Sequence, residues 1–197
     1  FNNEEEAESI LKQISSIVDR FDHHAHIEDS MIFPAVVQYE PSVVDAFEKE
    51  HAKDHELSEK LRALVNMYYS LTKNEERINL GSALRKSYIE FMVFNLEHMA
   101  KEEDIINNLL WRYYPDKDLM GITQKIVAGL SPEVEAWSTE WMMKGLSNQE
   151  IVGWLKAVEK TAPEPVFNHL CAVAEKQLPA SRYQQVVESL TDGVLLS

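Results

Sequence analysis

The sequence predicts an all-α protein built from amphipathic helices. Apolar residues recur every three or four positions in each long segment of the 197 residues, as they do on a helix with one buried face. The chain contains only 6 glycines and 7 prolines, so few positions interrupt a helix. Helix-start patterns such as Ser147-x-x-Glu150 divide the chain into separate helices. We therefore expect a packed helical protein rather than a disordered one.

The first predicted helix covers residues 4–39. Pro34 is expected to end or kink it, because proline lacks the N–H group that a helix interior requires. The predicted buried face carries two polar residues in an otherwise apolar row: Ile10, Ile14, Ile17, Phe21, His24, Glu28 and Ile32.

Two more long helices follow, and capping boxes are expected near their starts, at Ser42-x-x-Asp45 and Thr72-x-x-Glu75. Short connections make consecutive helices antiparallel, so polar residues at matching heights can meet in one layer of the core. The predicted buried faces are Val44, Phe47, His51, His55, Ser58, Leu61, Val65 and Tyr68 on the second helix, and Leu84, Tyr88, Phe91, Asn95, His98, Glu102, Ile105 and Leu109 on the third.

The rest of the chain is predicted to form four or five short helices that pack on the long ones. Starts are expected at Ser131-Pro132-Glu133 and at Ser147, and prolines separate the later helices. No repeat of fixed period is predicted here. We divide the chain into a bundle of residues 1–114 and a helical extension of residues 115–197.

Charge and cysteine content limit the function classes. A formal net charge of −14 repels nucleic-acid phosphates and anionic membrane surfaces, so neither is an expected partner. No apolar run reaches the roughly 18–20 residues of a membrane span. Cys171 is the single cysteine, which excludes an intramolecular disulfide and fits a reducing cytosol. We therefore expect a cytoplasmic protein.

Three pairs of ligand-type residues interrupt the apolar rows at four-residue spacing. On a helix, both members of such a pair point to the same side. Leaving these groups uncompensated inside a bundle would cost several kcal/mol each, roughly, and a bound cation would remove that cost. The pairs are His24 with Glu28, His51 with His55, and His98 with Glu102.

The joint occurrence of the three pairs favours metal binding over a purely structural role of these residues. A lone histidine on a helix is more often a hydrogen-bonded core residue or a surface residue, but here six of the seven histidines fall in three clusters. Imidazole with carboxylate suits iron, zinc or manganese. Six such groups would nearly fill a site for two ions, in which Glu28 and Glu102 could bridge.

The clusters resemble the hemerythrin-like family, also called the HHE cation-binding domain. The run from His24 to Asp29 followed by Phe33-Pro34 is similar to the second helix of that family. The pair His51 and His55 resembles its third helix, and the run His98-x-x-x-Glu102-Glu103 resembles its fourth. The resemblance covers about residues 4 to 112.

The resemblance implies an up-down helical bundle with a non-haem, carboxylate-bridged centre of two iron ions. It implies as metal ligands His24, Glu28, His51, His55, His98 and either Glu102 or Glu103, of which Glu102 lies nearer the buried face. Family members also carry a histidine on an earlier helix, which is missing from this chain. Either native residues that form this helix precede Phe1, which the start without a methionine favours, or the site is incomplete.

The family resemblance also implies the function. We expect a di-iron protein that binds or senses O₂, a related small oxidant, NO or iron, with a homodimer as one possible assembly. A di-iron enzyme, such as an oxidase or a peroxide or nitric oxide reductase, is the first alternative, so catalysis is left open. A metal-free helical interaction module is the second.

Overall fold

The computed structural model describes residues 3–191, and every regular element in that range is a helix. Two-residue links or short turns join most of them. The helices are α1 (Glu4–Ile27), a π-helical turn (Glu28–Ile32), α2 (Phe33–Val36), α3 (Pro41–Ser70), α4 (Asn74–Tyr113), α5 (Asp116–Gly129), α6 (Pro132–Gly145), α7 (Asn148–Thr161), α8 (Glu164–Gln177) and α9 (Ala180–Thr191). The predicted all-α class is confirmed. None of these helices is both long and apolar enough to cross a bilayer.

The chain forms two compact units, Phe1–Ile126 and Val127–Ser197, which divide within α5. The first unit contains the three long helices, and the second contains α6 to α9. The predicted division after residue 114 and the packing of the short helices on the bundle stay predictions.

The three long helices run up, down and up. Arg62 of α3 binds Asp19 of α1 with Nη2 2.8 Å from Oδ1, and Lys60 of α3 binds Glu90 of α4 with Nζ 2.6 Å from Oε2. Asp29, which follows α1, contacts His51, which lies earlier in α3 than Arg62. His98, which lies later in α4 than Glu90, contacts Glu50, so the contacts run in opposite directions along neighbouring helices. The antiparallel course expected from the short connections is confirmed.

The core of the first unit consists of two apolar clusters. One lies toward the start of α1 and the other around α2. The first contains Ala7, Leu11, Ile14, Val18, Leu57, Leu61, Val65, Tyr68, Leu80, Leu84 and Phe91. The second contains Phe33, Ala35, Val36, Val44, Phe47, Ile106 and Leu110. On each long helix, the predicted polar pair lies between residues of the two clusters, so a polar layer separates them.

The buried face of α1 differs from the prediction by about one position. Ile10 is 39% exposed, whereas its neighbour Leu11 is fully buried. The buried residues are Ala7, Leu11, Ile14 and Val18, which keep a spacing of three and four. The prediction failed at Ile10 and Ile17, which lie beside the buried row, whereas the predicted Ile14 belongs to it.

The faces of α3 and α4 needed smaller corrections. On α3 the buried row continues from His51 through Asp54, not through His55, which is exposed. On α4 the residue buried after Glu102 is Ile106, whereas Ile105 is 41% exposed. In both helices the buried residues follow one another by three or four positions, and the wrong predictions took four where the helix takes three, or the reverse.

Neither predicted capping box of the long helices forms. α3 already begins at Pro41 with Glu40 as its N-cap, so Ser42 lies inside the helix and cannot cap it. α4 begins at Asn74 after an extended Lys73, which puts Thr72 outside the helix. In the second unit, by contrast, the capping box of Ser147 with Glu150 is confirmed, and Ser131 caps α6.

The five short helices are evenly spaced, contrary to the expectation of no fixed period. They begin at residues 116, 132, 148, 164 and 180, so successive starts lie 16 residues apart. Within the second unit, α6 packs on α8 and α7 packs on both α8 and α9. The buried residues are almost all apolar: Met143, Ile151, Leu155, Leu170, Ala174, Leu178 and Val186. The period was missed because only the links repeat clearly, with a proline or serine directly before each short helix, whereas the residues inside the helices hardly repeat.

Candidate metal centre

Four polar side chains from three helical segments converge in the layer between the apolar clusters. Glu28, His51, His98 and Glu102 each offer one ligand atom, and these atoms all lie within 4.8 Å of one another. His51, His98 and Glu102 are buried, and Glu28 is partly buried. The meeting of polar residues at one height, which the antiparallel helices predict, is thus observed.

His24 completes the group at its solvent-facing edge. Its Nε2 atom lies 3.1 Å from Oε1 of Glu28 and 3.7 Å from Oε2 of Glu102. The side chain is 40% exposed, in contrast to 8% for His51. Each of the two carboxylates therefore lies between imidazoles of different helices.

Several of these buried polar atoms have no hydrogen-bond partner among the described residues. The imidazole nitrogens and the carboxylate oxygens lie near each other across the layer, but they are not aligned for hydrogen bonding. Each unsatisfied buried group costs about 1–3 kcal/mol. Five buried atoms of the site lack a hydrogen-bond partner in the described part of the chain: His24 Nε2, Glu28 Oε2, His51 Nε2, His98 Nε2 and Glu102 Oε1. Since imidazole nitrogen and carboxylate oxygen are the ligands that iron, zinc and manganese accept, this donor set fits a cation.

The π turn at residues 28–32 sets the position of Glu28. The N–H of Phe33 donates to the carbonyl oxygen of Glu28, five residues back, instead of the usual four. Pro34 follows and has no N–H to continue an α-helical ladder. Ser30 Oγ donates to the carbonyl oxygen of His26 at 2.7 Å, which satisfies one carbonyl of the disturbed ladder. The kink predicted at Pro34 is therefore present as a π turn, and it includes a site residue.

Carboxylates outside the cluster hold two of the imidazoles. His51 Nδ1 donates to Asp29 Oδ1 at 2.8 Å, and His98 Nδ1 donates to Glu50 Oε2 at 2.8 Å. The other oxygen of Glu50 accepts from Lys101 Nζ at 2.7 Å. Because Nδ1 is engaged in each ring, Nε2 is the nitrogen directed into the polar layer. This arrangement is typical of ligating histidines.

The electrostatics of the layer favour positive charge. Burial lowers the pKa of His24, but the carboxylates of Glu102 and Glu28 outweigh burial and raise this pKa to about 9. Burial likewise lowers the pKa of His51, and the carboxylates of Glu102, Glu28 and Asp29 raise it to about 10. Burial favours the neutral form of Glu102, yet the surrounding imidazoles hold its pKa well below the usual range. Because the pKa values of His24 and His51 are raised, a cation that binds these imidazoles would displace protons from them.

The sequence family agrees with this geometry. The family model of the hemerythrin HHE cation binding domain matches residues 2–110, more than half of the chain. The chain belongs to the hemerythrin HHE cation-binding family. The resemblance inferred from the histidine clusters is thereby confirmed, and the matched segment of this HHE domain contains α1 to α3 and nearly all of α4.

Relatives of the HHE domain are found among larger proteins. F-box/LRR-repeat protein 5 of Salmo salar is 25% identical over 185 residues, which cover 91% of this chain and 26% of that protein. The protein of the same name from Danio rerio is 24% identical over 178 residues, covering 86% and 26% of the two chains. The chain thus spans about a quarter of the length of these curated relatives. No solved structure gives a significant match.

Two of the predicted ligands of the HHE domain lie outside the cluster. His55 is exposed on α3 and lines a surface cavity of about 720 Å³ together with His26 and Glu48. Glu103 is exposed on α4, whereas its neighbour Glu102 faces the layer. Each follows or precedes a buried residue by one position, which turns its side chain away by about 100°. Their roles as ligands stay predictions, and the cluster provides no support for them.

Sequence reasoning did not find Asp29, Glu50 or the buried Asp54. Asp54 Oδ1 accepts from Asn95 Nδ2 at 2.6 Å, and this pair bridges α3 and α4 beside the polar layer. A buried row on α3 that takes a step of three after His51 would have found Asp54. Asp29 lies in the family-like run that begins at His24, but its contact with His51 depends on the π turn. The contact of Glu50 with His98 depends on the pairing of α3 and α4, which local spacing does not give.

Proposed function

We propose that this HHE domain is a non-haem di-iron protein that binds or senses a small diatomic molecule, O₂ or NO, or a related oxidant, or iron itself. The observation that carries the proposal is the convergence of five buried donor atoms without partners, from His24, Glu28, His51, His98 and Glu102. Such a set would be costly in a metal-free core. The family, whose members bind cations, supports the same conclusion.

Two ions, rather than one, are favoured by the position of the carboxylates. Glu102 has His98 Nε2 at 3.1 Å from Oε1 and His24 Nε2 at 3.7 Å from Oε2. Glu28 has His24 Nε2 at 3.1 Å from Oε1 and His51 Nε2 at 3.4 Å from Oε2. Each carboxylate thus presents one oxygen to each side of the layer, which is the disposition of a bridging ligand.

The choice of iron rests on function rather than on ligand type, since zinc and manganese accept the same donors. Bound iron would supply a redox-active centre with affinity for diatomic ligands. The residues of this chain would bind the ions, keep water out on the side of the apolar clusters, and leave access at the exposed edge of His24. Zinc or manganese as the native metal is an alternative outcome of the test below.

The first experiment measures iron after anaerobic reconstitution with Fe(II). We expect about two iron ions per chain, with most of this iron lost in His98→Ala. His169→Ala, an exposed histidine of the second unit, is the matched control and should keep its iron. Less than about half an iron per chain in the unaltered protein would sink the proposal, and would leave the metal-free interaction module as the better explanation.

The second experiment separates binding from catalysis. The iron-loaded protein is exposed to O₂ or to NO, and the absorption spectrum is followed while the gas is added and removed. A reversible spectral change without consumption of the gas supports a carrier or sensor. Continuous consumption of O₂, peroxide or NO would instead support the enzymatic alternative. The cytoplasmic location and the homodimer are separate proposals, tested by localisation of the tagged protein and by light scattering.

A further inference from the structure

The imidazole of His51 is held by residues from one short stretch of chain. Glu28 Oε2 lies 3.4 Å from its Nε2 atom, and the next residue, Asp29, accepts from its Nδ1 atom at 2.8 Å. The ring of Phe33 stacks on the imidazole with 5.1 Å between centroids and 17° between planes. Consecutive carboxylates therefore face the two nitrogens of a single ring, and an aromatic ring covers one side of it.

The π turn allows Glu28, Asp29 and Phe33 to contact the same imidazole. In an α-helix, consecutive side chains diverge by about 100°, so two neighbours rarely reach the same partner. A π turn distributes one turn over more residues, and successive side chains diverge less. The turn here begins at Glu28 and closes with the hydrogen bond from the Phe33 N–H to the Glu28 carbonyl oxygen. All three residues that hold His51 lie at or between these two ends.

We infer that Asp29 is a positioning residue for His51, an inference that rests on the proposed function of the centre. Its carboxylate accepts the Nδ1 hydrogen, fixes the plane of the ring, and leaves Nε2 as the donor nitrogen for a cation. A carboxylate behind a ligating imidazole also makes that imidazole a stronger ligand, and removing such a group typically weakens metal binding about 10- to 100-fold. Asp29 is not one of the four residues whose ligand atoms converge within 4.8 Å.

Asp29 can be substituted without damage to the core. Its side chain is 50% exposed, whereas the side chain of His51 is 8% exposed. Glu48 offers a matched control, because it is an exposed acidic residue that lines the same surface cavity. Removing either carboxylate changes the charge of that cavity equally, but only Asp29 binds His51.

The test measures Zn²⁺ affinity by competition with a chromophoric chelator, with Zn²⁺ alone as the probe. We expect Asp29→Ala to bind Zn²⁺ about 10- to 100-fold more weakly than the unaltered protein. Asp29→Asn should fall between the two, since the amide oxygen still accepts a hydrogen bond but carries no charge. Glu48→Ala should change the affinity by less than about threefold, as expected for an exposed charge that does not bind His51.

A second readout reports the hydrogen bond itself. In ¹⁵N-labelled, Zn²⁺-loaded protein, His51 should give a slowly exchanging Nδ1–H signal, and Asp29→Ala should abolish that signal while Glu48→Ala keeps it. A merely structural role of Asp29 would lower the melting temperature without this selective loss.

The outcomes separate the inference from the proposed function. Equal weakening by Asp29→Ala and Glu48→Ala would mean that only the charge of the cavity matters, and would overturn the inference. Unchanged affinity in Asp29→Ala would also overturn it, while leaving the metal centre intact. If the unaltered protein bound neither Zn²⁺ nor Fe²⁺, the proposed function would fail and the inference would fail with it.

Discussion

The cores of the two units differ in how they treat polar groups. In the bundle, a layer of imidazoles and carboxylates interrupts the apolar core, with Asp54 and Asn95 buried beside it. In the second unit, Thr139 is the one polar side chain among the buried residues described, and the rest of the core is apolar. Helices from the same chain thus pack well without buried charges. The polar layer of the bundle therefore serves something other than stability, since partly satisfied buried polar groups weaken a core.

The largest effect expected from this comparison is on metal affinity. Glu102→Ala removes the carboxylate that approaches three imidazoles, at His24, His51 and His98. We expect Zn²⁺ and Fe²⁺ affinity to fall more than about 100-fold, beyond the range for residues that only support a ligand. Leu155→Ala, in the apolar core of the second unit, should leave the affinity unchanged. Metal affinity is measured by chelator competition. A similar loss of affinity in both variants would show that the two cores do not differ in function.

Leu155→Ala also tests how much the apolar core of the second unit contributes to stability. Leu155 is 1% exposed, and its truncation leaves a cavity that should lower the free energy of unfolding of the second unit by about 2–5 kcal/mol. Urea unfolding followed by circular dichroism measures this change. Leu61→Ala, fully buried in the bundle, is the matched variant and should cost a similar amount there. A negligible cost at Leu155 would mean that the second unit lacks a well-packed core.

Metal removal should affect the bundle selectively. A cation at 100 times its dissociation constant stabilises the unit that binds it by about 2.7 kcal/mol. Hydrogen exchange with and without Zn²⁺ should therefore show slower exchange in α1, α3 and α4 when Zn²⁺ is present, and unchanged exchange in α6 to α9. Equal protection of both units would contradict a site confined to the bundle.

The smallest effect expected is the change in folding stability of the metal-free protein with pH. The pKa values of His24 and His51 are raised in the folded state, to about 9 and about 10. Their contribution to stability is fully present below the unfolded pKa of about 6.5, and it declines as the pH rises toward the folded values. Solvent screening reduces the part due to the partly exposed His24.

Thermal melts of metal-free protein between pH 6.5 and 10 measure this decline. His51→Gln should flatten the curve, whereas His169→Gln, in the second unit, should not. A melting temperature of the bundle that rises over this range would show that the assigned sign is wrong.

The sequence predicted the helices and the polar layer, because both follow from local spacing. Pairs four residues apart identified His24 with Glu28 and His98 with Glu102, and antiparallel connections brought them to one height. Local spacing failed at His55, since a buried row takes steps of three as well as four. It also failed at Asp29, whose contact with His51 arises from a π turn that the sequence signals only through Pro34.

The even spacing of the short helices shows a different limit. A proline or serine directly precedes each short helix, at residues 115, 131, 147, 163 and 179, and Gly-Leu-Ser occurs at both 129–131 and 145–147, so the links carry a motif with the 16-residue period. The residues inside the helices hardly repeat, so the period becomes clear only when the ends of the helices are known.

The two-residue links between the short helices have a mechanical consequence. Residues 130–131, 146–147, 162–163 and 178–179 are all that separate α5 through α9. Links of two residues allow few backbone conformations. Each helix therefore constrains the direction of the next, in addition to the packing of their side chains. Inserting a flexible glycine-serine stretch at residue 147 would release that constraint while leaving every side chain of the core in place.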